Sequence, residues 1–270
     1  MIDIIVPIFH PDLDILREVI YGILNNNIKA EYRIRVITAD PVPEIQKWVG
    51  FQYQEGYPLG EWNAVKQAYD ESTAEYVAIC HQDDYWLKDK ITHQLRVIGD
   101  HKLCMTAFIY SFPDYKKKHQ RLIREKAIPN IDGRLGLWNC MPSTWLLNKK
   151  TLPTLSIPYD NGITYCMDQA IAMSIGDIVA IRDPYVIYND ISSNQNSQSH
   201  PEIILRAQNR LAHYFLTQKH NLTLKVVNDQ GQKNLICGGR ITAPGRLQTT
   251  KNSMINGRKN TRSSNVLVRL

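Results

Sequence analysis

Two adjacent carboxylates, Asp83 and Asp84, follow His81 and Gln82 directly after the apolar run Tyr76-Val77-Ala78-Ile79-Cys80. A short apolar run of this kind reads as a strand, so the pair falls at a strand's C-terminal end. Ligands of open α/β sheets bind at that edge, and paired carboxylates there suit a hard divalent cation together with phosphate oxygens. A solvated turn in which one Asp caps the next helix is the bland reading of the same residues. The Pro-free stretch Tyr85-Trp86-Leu87-Lys88-Asp89-Lys90 predicts that a helix starts there.

The rest of the chain supplies elements to position such a pair. Ile2 to Ile8 is a continuous apolar run suited to a strand buried on both faces of a parallel sheet. His10-Pro11-Asp12-Leu13-Asp14 then opens a helix whose Ile15, Val19, Ile20, Ile23 and Leu24 recur at helical spacing. A second strand, Ile34 to Ala39, ends at Asp40 before Pro41, and a helix is predicted from Trp62 to Glu71, ahead of the strand that carries the Asp pair. This alternation predicts βαβ units with right-handed crossovers and a mostly parallel sheet.

The second half is less regular. Met105 to Phe112 reads as a strand, Lys116 to Lys126 as a basic loop, and Leu137 to Leu147 mixes strand and turn signals. Asp168 opens a helical pattern that stops at Gly176, and Ile178–Ile181 and Tyr185–Tyr188 read as two strands around Asp183-Pro184. Ser192 to Ser199 is a polar loop, Pro201 to His220 a helix with an apolar stripe, and the chain beyond Gly238 has the composition of a poorly ordered segment.

Composition bounds the partners. The 270 residues, 43% of them hydrophobic, can bury a core without covalent staples. Cys80, Cys104, Cys140, Cys166 and Cys237 show no metal-binding spacing and read as reduced thiols of a cytosolic protein. The start Met1-Ile2-Asp3 lacks the basic region of a secretory signal, and no apolar run is long enough to span a membrane. Net charge is +6, yet eight of the 32 basic side chains and none of the 26 acidic ones follow Asp229, so the chain before it carries −2.

Ile4-Ile5-Val6-Pro7, Tyr76-Val77-Ala78, Gln82 to Ile91, Met167-Asp168 and Tyr188 together resemble the family-2 glycosyltransferases. These are sugar-nucleotide enzymes of the GT-A fold, here closest in pattern to the bacterial polysaccharide enzymes related to rhamnosyltransferases. The specific part is Gln82 to Ile91, which is similar to the family's Asp-Gln-Asp-Asp-x-Trp-x-x-Asp-Lys-Leu signature, with His81 in place of its first Asp. The resemblance implies a Rossmann-like, mostly parallel central sheet flanked by helices over residues 1–200, with nucleotide-sugar binding in 1–100 and the acceptor and catalytic groups in 101–200. A helical extension over 201–238 and a basic, flexible tail over 239–270 complete the expected organisation.

The same resemblance assigns roles. Asp83 and Asp84 hold Mn²⁺ or Mg²⁺, which bridges the diphosphate of a nucleotide-sugar donor and neutralises the charge that develops as it leaves. Pro7, Phe9, Asp40, Asn63 and Asp83 line the donor: Phe9 flanks the base, Asp40 recognises it and Asp83 reaches the ribose. A turn cap is the alternative for Asp40, and the family's first acid at that strand end is Ala39 here. Asp168 is the implied base of an inverting transfer, with an N-cap as its alternative. Relatives carry a His where this chain has Ile191, and His200 is a substitute only if the following loop folds back. Trp62, Trp138 and Trp145 are either sugar-facing rings or core residues.

A nucleotidyltransferase would need a Gly-rich, basic loop after the first strand, and Phe9-His10-Pro11-Asp12 supplies neither feature. A nucleic-acid-binding module is disfavoured because the basic tail lacks interleaved aromatics and the body is slightly acidic. A weakly active or non-catalytic sugar-nucleotide-binding relative is the other reading. The acceptor is expected to be a glycan or lipid-linked saccharide, met at an anionic membrane through residues 239–270, where each cation near the surface contributes about 1 kcal/mol. The full-length chain is therefore expected to co-sediment with anionic vesicles at low salt, and to be released by high salt. A truncation after Gly238 should fail to sediment; equal sedimentation of the two proteins would exclude the tail as an anchor.

Overall fold

The computed structural model describes residues 1–58, 60–111, 123–128, 141–157, 167–189, 221–227, 233–242, 246–249 and 266–267. Its strands are β1 (Ile2–Ile8), β2 (Tyr32–Thr38), β3 (Gln52–Gln54), β4 (Tyr76–Ile79), β5 (Tyr85–Trp86), β6 (Leu103–Ser111), β7 (Ile123–Ile128), β8 (Leu146–Asn148), β9 (Asp177–Asn189), β10 (Asn221–Val227), β11 (Lys233–Thr242), β12 (Arg246–Thr249) and β13 (Val266–Leu267). The helices are α1 (Leu13–Leu24), α2 (Glu61–Glu71), α3 (Lys90–Ile98) and α4 (Met167–Ile175). These strands form one sheet in the order β13-β12-β11-β10-β9-β6-β8-β4-β1-β2-β3, with β5 paired to β9 and β7 to β6.

The first half has the expected βαβ character. β3, β2, β1 and β4 are parallel neighbours, in the register Ile4 opposite Ile34 and Ala78. Both faces of these strands are covered. Ile4, Val6, Ile34, Val36 and Ala78 meet α1 and α3 through Leu16, Val19, Ile23, Ile91 and Ile98. The alternate residues Ile5, Ile37, Val77 and Ile79 meet α2 and α4 through Val65, Ala68, Tyr69, Ile171 and Ile175. Each such Ile, Leu or Val contributes about 1.5–3 kcal/mol on leaving water, which is why an unbroken apolar run is needed where two helical layers sandwich a strand.

Several sequence expectations are corrected. Tyr85 and Trp86 do not begin a helix: they pair with Ile187 and Val186 as β5, and α3 starts at Lys90, after Asp89 in the left-handed region at φ 65°. Burying the Trp86 ring and pairing its backbone outweigh a weak helical preference. The two strands expected around Asp183-Pro184 are one, β9, whose register against β6 shifts so that Pro184 sits in a bulge. Ile123–Ile128, which overlaps the end of the stretch read as a loop, pairs with β6. Residues 221–227 and 233–242 are strands and not a helical extension, and 246–249 and 266–267 are strands within the segment expected to lack order. The alternation of Leu222, Leu224 and Val226 with polar neighbours suits β10, which lies parallel to β9. The polar loop at 192–199 and the helix at 201–220 lie outside the described residues.

Asn26, just past α1, fixes the loop between β5 and α3. Its buried amide donates to the Leu87 carbonyl at 2.6 Å and accepts from the Ile91 N–H at 3.1 Å, while its own carbonyl accepts from the Asp89 N–H at 3.2 Å. One helical turn earlier, Gly22 admits the Tyr85 ring so closely that a Cβ would lie 2.8 Å from it. Asn26→Ala leaves the buried Ile91 N–H without a partner, at about 1–3 kcal/mol, and the part-buried Leu87 carbonyl without its donor at a smaller cost. The variant is expected to unfold at lower urea concentration with an unchanged m-value; an unaltered midpoint would remove Asn26 as the anchor.

Candidate active site

β1, β2 and β4 end at one edge of the sheet, and the residues that follow each of them make the candidate site. The Cys80 N–H donates to the Ile5 carbonyl at 2.9 Å, carrying the β4 ladder one residue beyond the strand, and the Asp84 N–H then closes a turn on the His81 carbonyl at 3.3 Å. Gln82 joins this turn to the end of β1. Its amide oxygen accepts from the Phe9 N–H at 2.8 Å and its amide nitrogen donates to the Phe9 carbonyl at 3.0 Å. The Phe9 ring is thereby left 62% exposed, edge-on to His10 at 4.2 Å.

His81 is held from three sides. Its N–H donates to Ser143 Oγ at 2.8 Å, its Nε2 lies 2.6 Å from Glu61 Oε1 in the first turn of α2, and its Nδ1 lies 3.8 Å from Asp84 Oδ2. Burial opposes a charge on the imidazole, but Glu61, Asp84 and Asp83 outweigh it and raise the pKa to about 10. Glu61 is under the opposite pair of influences: surrounding atoms push its pKa up, and His81 brings it below the usual value while 44% of the side chain stays exposed.

The two Asp residues differ in their surroundings. Asp84 is fully buried, and neither carboxylate oxygen completes a hydrogen bond of ordinary geometry, although the Ser143 hydroxyl and the Asn189 N–H lie near enough to favour its ionised form. Burial, reinforced by the charge of Asp83, raises its pKa to about 7. Asp83 is partly exposed and also raised, by burial, against the pull of His81. One ligand atom from each of His81, Asp83 and Asp84 lies within 4.8 Å of the others. An orphaned buried carboxylate beside two further donors fits a divalent cation.

Asp168 sits in the first turn of α4. Burial raises its pKa to about 6 against the pull of the Gln169 N–H; Glu61 adds to the rise and His81 opposes it, so Asp168 lies within the field of that pair. Asp40 is exposed two residues past β2, where Thr38 Oγ1 donates to its carbonyl at 2.8 Å, and Pro7 pairs with Ile37 inside the sheet. Asn63 faces elsewhere. It lines an outer groove on α2 of about 500 Å³ with Pro58, Lys66, Gln67, Asp70 and Glu71. Trp145 is fully buried and packs on Trp62 at 5.6 Å, which makes this pair a core feature; Trp138, Ile191 and His200 lie outside the described residues.

Three contributors had little sequence signal. Glu61 is one acid at a helix start, Ser143 lies in a short turn before β8, and Gln82 reads only as part of a signature. The turn 142–144 also accepts the Trp86 indole N–H, at the Ser143 carbonyl, 3.0 Å. Lys90 lies buried 4.0 Å from the Trp86 ring and donates to Gln94 Oε1 at 2.8 Å, beneath the site and not in it.

No protein-family model matches the chain, nor does the sequence of any curated protein. Solved structures do. TarS of S. aureus matches 80% of this chain at 13% identity and a TM-score of 0.55, and the match spans 39% of TarS. TarS 1–349 in complex with UDP-GlcNAc matches 80% at 16% identity and a TM-score of 0.52, over 66% of its own length. The mannosyltransferase PcManGT from Pyrobaculum calidifontis, in complex with GDP-Man and Mn²⁺, matches 78% at 13% identity and a TM-score of 0.50, over 69% of its length. The chain has a Rossmann-like glycosyltransferase fold. Its His81-Asp84 turn stands at the edge where such sheets take their ligands.

The titration of Asp84 gives this geometry a test. A carboxyl whose folded pKa is raised to about 7 stabilises the fold fully below the ordinary carboxylate pKa, and that contribution is lost as pH rises through about 7. With divalent cations chelated, Asp84→Asn is expected to gain stability over the unaltered protein at pH 8 and little at pH 5, measured by urea unfolding. An equal gain at both pH values would show that Asp84 is not held in this buried setting.

Proposed function

We propose that this protein transfers a sugar from a nucleoside-diphosphate sugar to a glycan or lipid-linked saccharide, with inversion, as a family-2-like glycosyltransferase of surface polysaccharide synthesis. The observation that carries the reading is the cluster of His81, Asp83 and Asp84 at the ligand-binding edge, with the Gln82-clamped Phe9 beside it. Its support from outside the chain is fold likeness to enzymes solved with UDP-GlcNAc and with GDP-Man and Mn²⁺.

Each residue then has a part. Asp83 and Asp84 hold Mn²⁺ or Mg²⁺, which when bound supplies positive charge against the departing diphosphate. Phe9 offers its exposed ring to the nucleobase, and Asp40, next to it past β2, accepts hydrogen bonds from the base. Pro7 shapes the end of β1 beneath them. Asn63 is kept as a donor contact only if the donor extends over the first turn of α2. Asp168 accepts the proton of the acceptor hydroxyl as that oxygen attacks the anomeric carbon; a carboxyl raised to about 6 is a better acceptor than an exposed one and still ionised at neutral pH. Residues 239–270 bring the enzyme to the anionic membrane face.

Asp168→Asn keeps volume and hydrogen bonding but cannot take the proton, so turnover should fall by roughly 10²–10⁴-fold with donor binding retained. The measurement is transfer from a panel of sugar nucleotides with Mn²⁺ or with chelator, alongside calorimetric donor binding. Near-normal turnover in the variant would return Asp168 to the role of helix cap, and a failure of every sugar nucleotide to bind would overturn the functional reading itself.

A further inference from the structure

The site contains a pairing that the two-carboxylate reading leaves unused. His81 Nε2 forms a close ion-pair contact with Glu61 Oε1 at 2.6 Å, short of a hydrogen bond of ordinary geometry, and the ring's other nitrogen lies 3.8 Å from Asp84 Oδ2. The backbone of His81 is fixed independently by Ser143, and Glu61 is the nearer of the two carboxylates that face its ring. An imidazole that binds a cation through one nitrogen commonly donates its other N–H to a carboxylate, which sets the tautomer and makes the ligating nitrogen a stronger donor. Asp84, fully buried with both oxygens lacking hydrogen bonds, is the independent sign that something occupies the space these groups face.

We infer that the cation of this site is held by one imidazole and two carboxylates, His81 Nδ1 with Asp83 and Asp84, and that Glu61 is a positioning residue that aims His81. This rests on the cation-dependent reading above and deepens it. On binding, the proton at Nδ1 leaves to solvent and the proton at Nε2 is kept beside the Glu61 carboxylate. An imidazole in the ligand set favours first-row transition ions over Mg²⁺, which prefers oxygen donors alone.

The test uses full-length protein and Mn²⁺ alone. Electron spin-echo measurements of bound Mn²⁺ should show coupling to an imidazole ¹⁴N, absent in His81→Asn. Glu61→Gln should weaken Mn²⁺ binding by about 10–100-fold, and should have no further effect in the His81→Asn background; circular dichroism checks that both variants keep their fold. Bound Mn²⁺ without nitrogen coupling, or Glu61→Gln affinity within twofold of the unaltered protein, would overturn the inference, as would an equal Glu61→Gln effect once His81 is gone. Asp84→Ala measured in parallel separates the two levels. If it alone abolishes binding, the carboxylate site stands and the imidazole inference falls; if the unaltered protein binds no Mn²⁺, both fall.

Discussion

The structure turns on one costly arrangement, a carboxylate held out of water without a hydrogen-bonded partner. Asp84 is so placed because the chain leaving β4, which is buried on both faces, turns back through the partly exposed His81, Gln82 and Asp83 into β5, whose Trp86 is buried. Removing an ionised group from water without compensation is strongly unfavourable, and a protein ordinarily answers by protonating the group or by supplying a counter-charge. Both answers are visible here, in the raised pKa of Asp84 and in the His81 ring turned toward it. The surrounding scaffold has to be rigid enough to maintain that state.

That rigidity comes from residues that look chemical in the sequence and are architectural in the fold. The Trp and Lys of the Gln82–Ile91 signature lie in the core: Trp86 donates its indole N–H to Ser143, and Lys90 is buried against its ring and Gln94. Burial brings the Lys90 amine down to about 7, so this side chain is in the wrong state and the wrong place to serve as a fixed phosphate clamp. Ser143 is the junction. Its carbonyl accepts from Trp86 and its hydroxyl oxygen from His81, so one short turn supports both the buried Trp86 and the start of the His81–Asp84 turn.

The legible parts of the chain were those where local pattern and tertiary demand agree. The apolar runs of β1, β2 and β4 show at once that they are buried on both faces, and Asp83 and Asp84 are placed by the strand that precedes them. Tyr85 and Trp86 misled because their strand is only two residues long and exists through pairing with β9, a hundred residues away. β3 escaped notice for a similar reason: Gln52–Gln54 has no apolar pattern and pairs only with β2 at the sheet's edge. Glu61 could not be found from sequence because its meaning lies in a contact with His81, twenty residues on and across two elements. The strands from Asn221 onward carried a period-two signal in Leu222, Leu224 and Val226, and the basic composition of the segment obscured it.

Topology explains why these pieces meet where they do. The parallel group β3-β2-β1-β4 and the pair β6-β9 are separated by β8, which runs antiparallel to both of its neighbours. β4 therefore has no parallel partner on that side, and the chain beyond it crosses the gap as β5 to join β9. The turn from His81 to Asp84 spans the seam. Asn189 at the end of β9 reaches back to it by donating its side-chain amide to the Asp83 carbonyl, and Ser143 enters from the turn that precedes β8. A site built on such a seam takes its walls from both halves of the sheet, and Gln82 ties Phe9 of the first half to the same turn that Asn189 holds from the second. A ligand that bridged Phe9 and the Asp pair would therefore meet groups positioned by both halves, which no single strand end could supply.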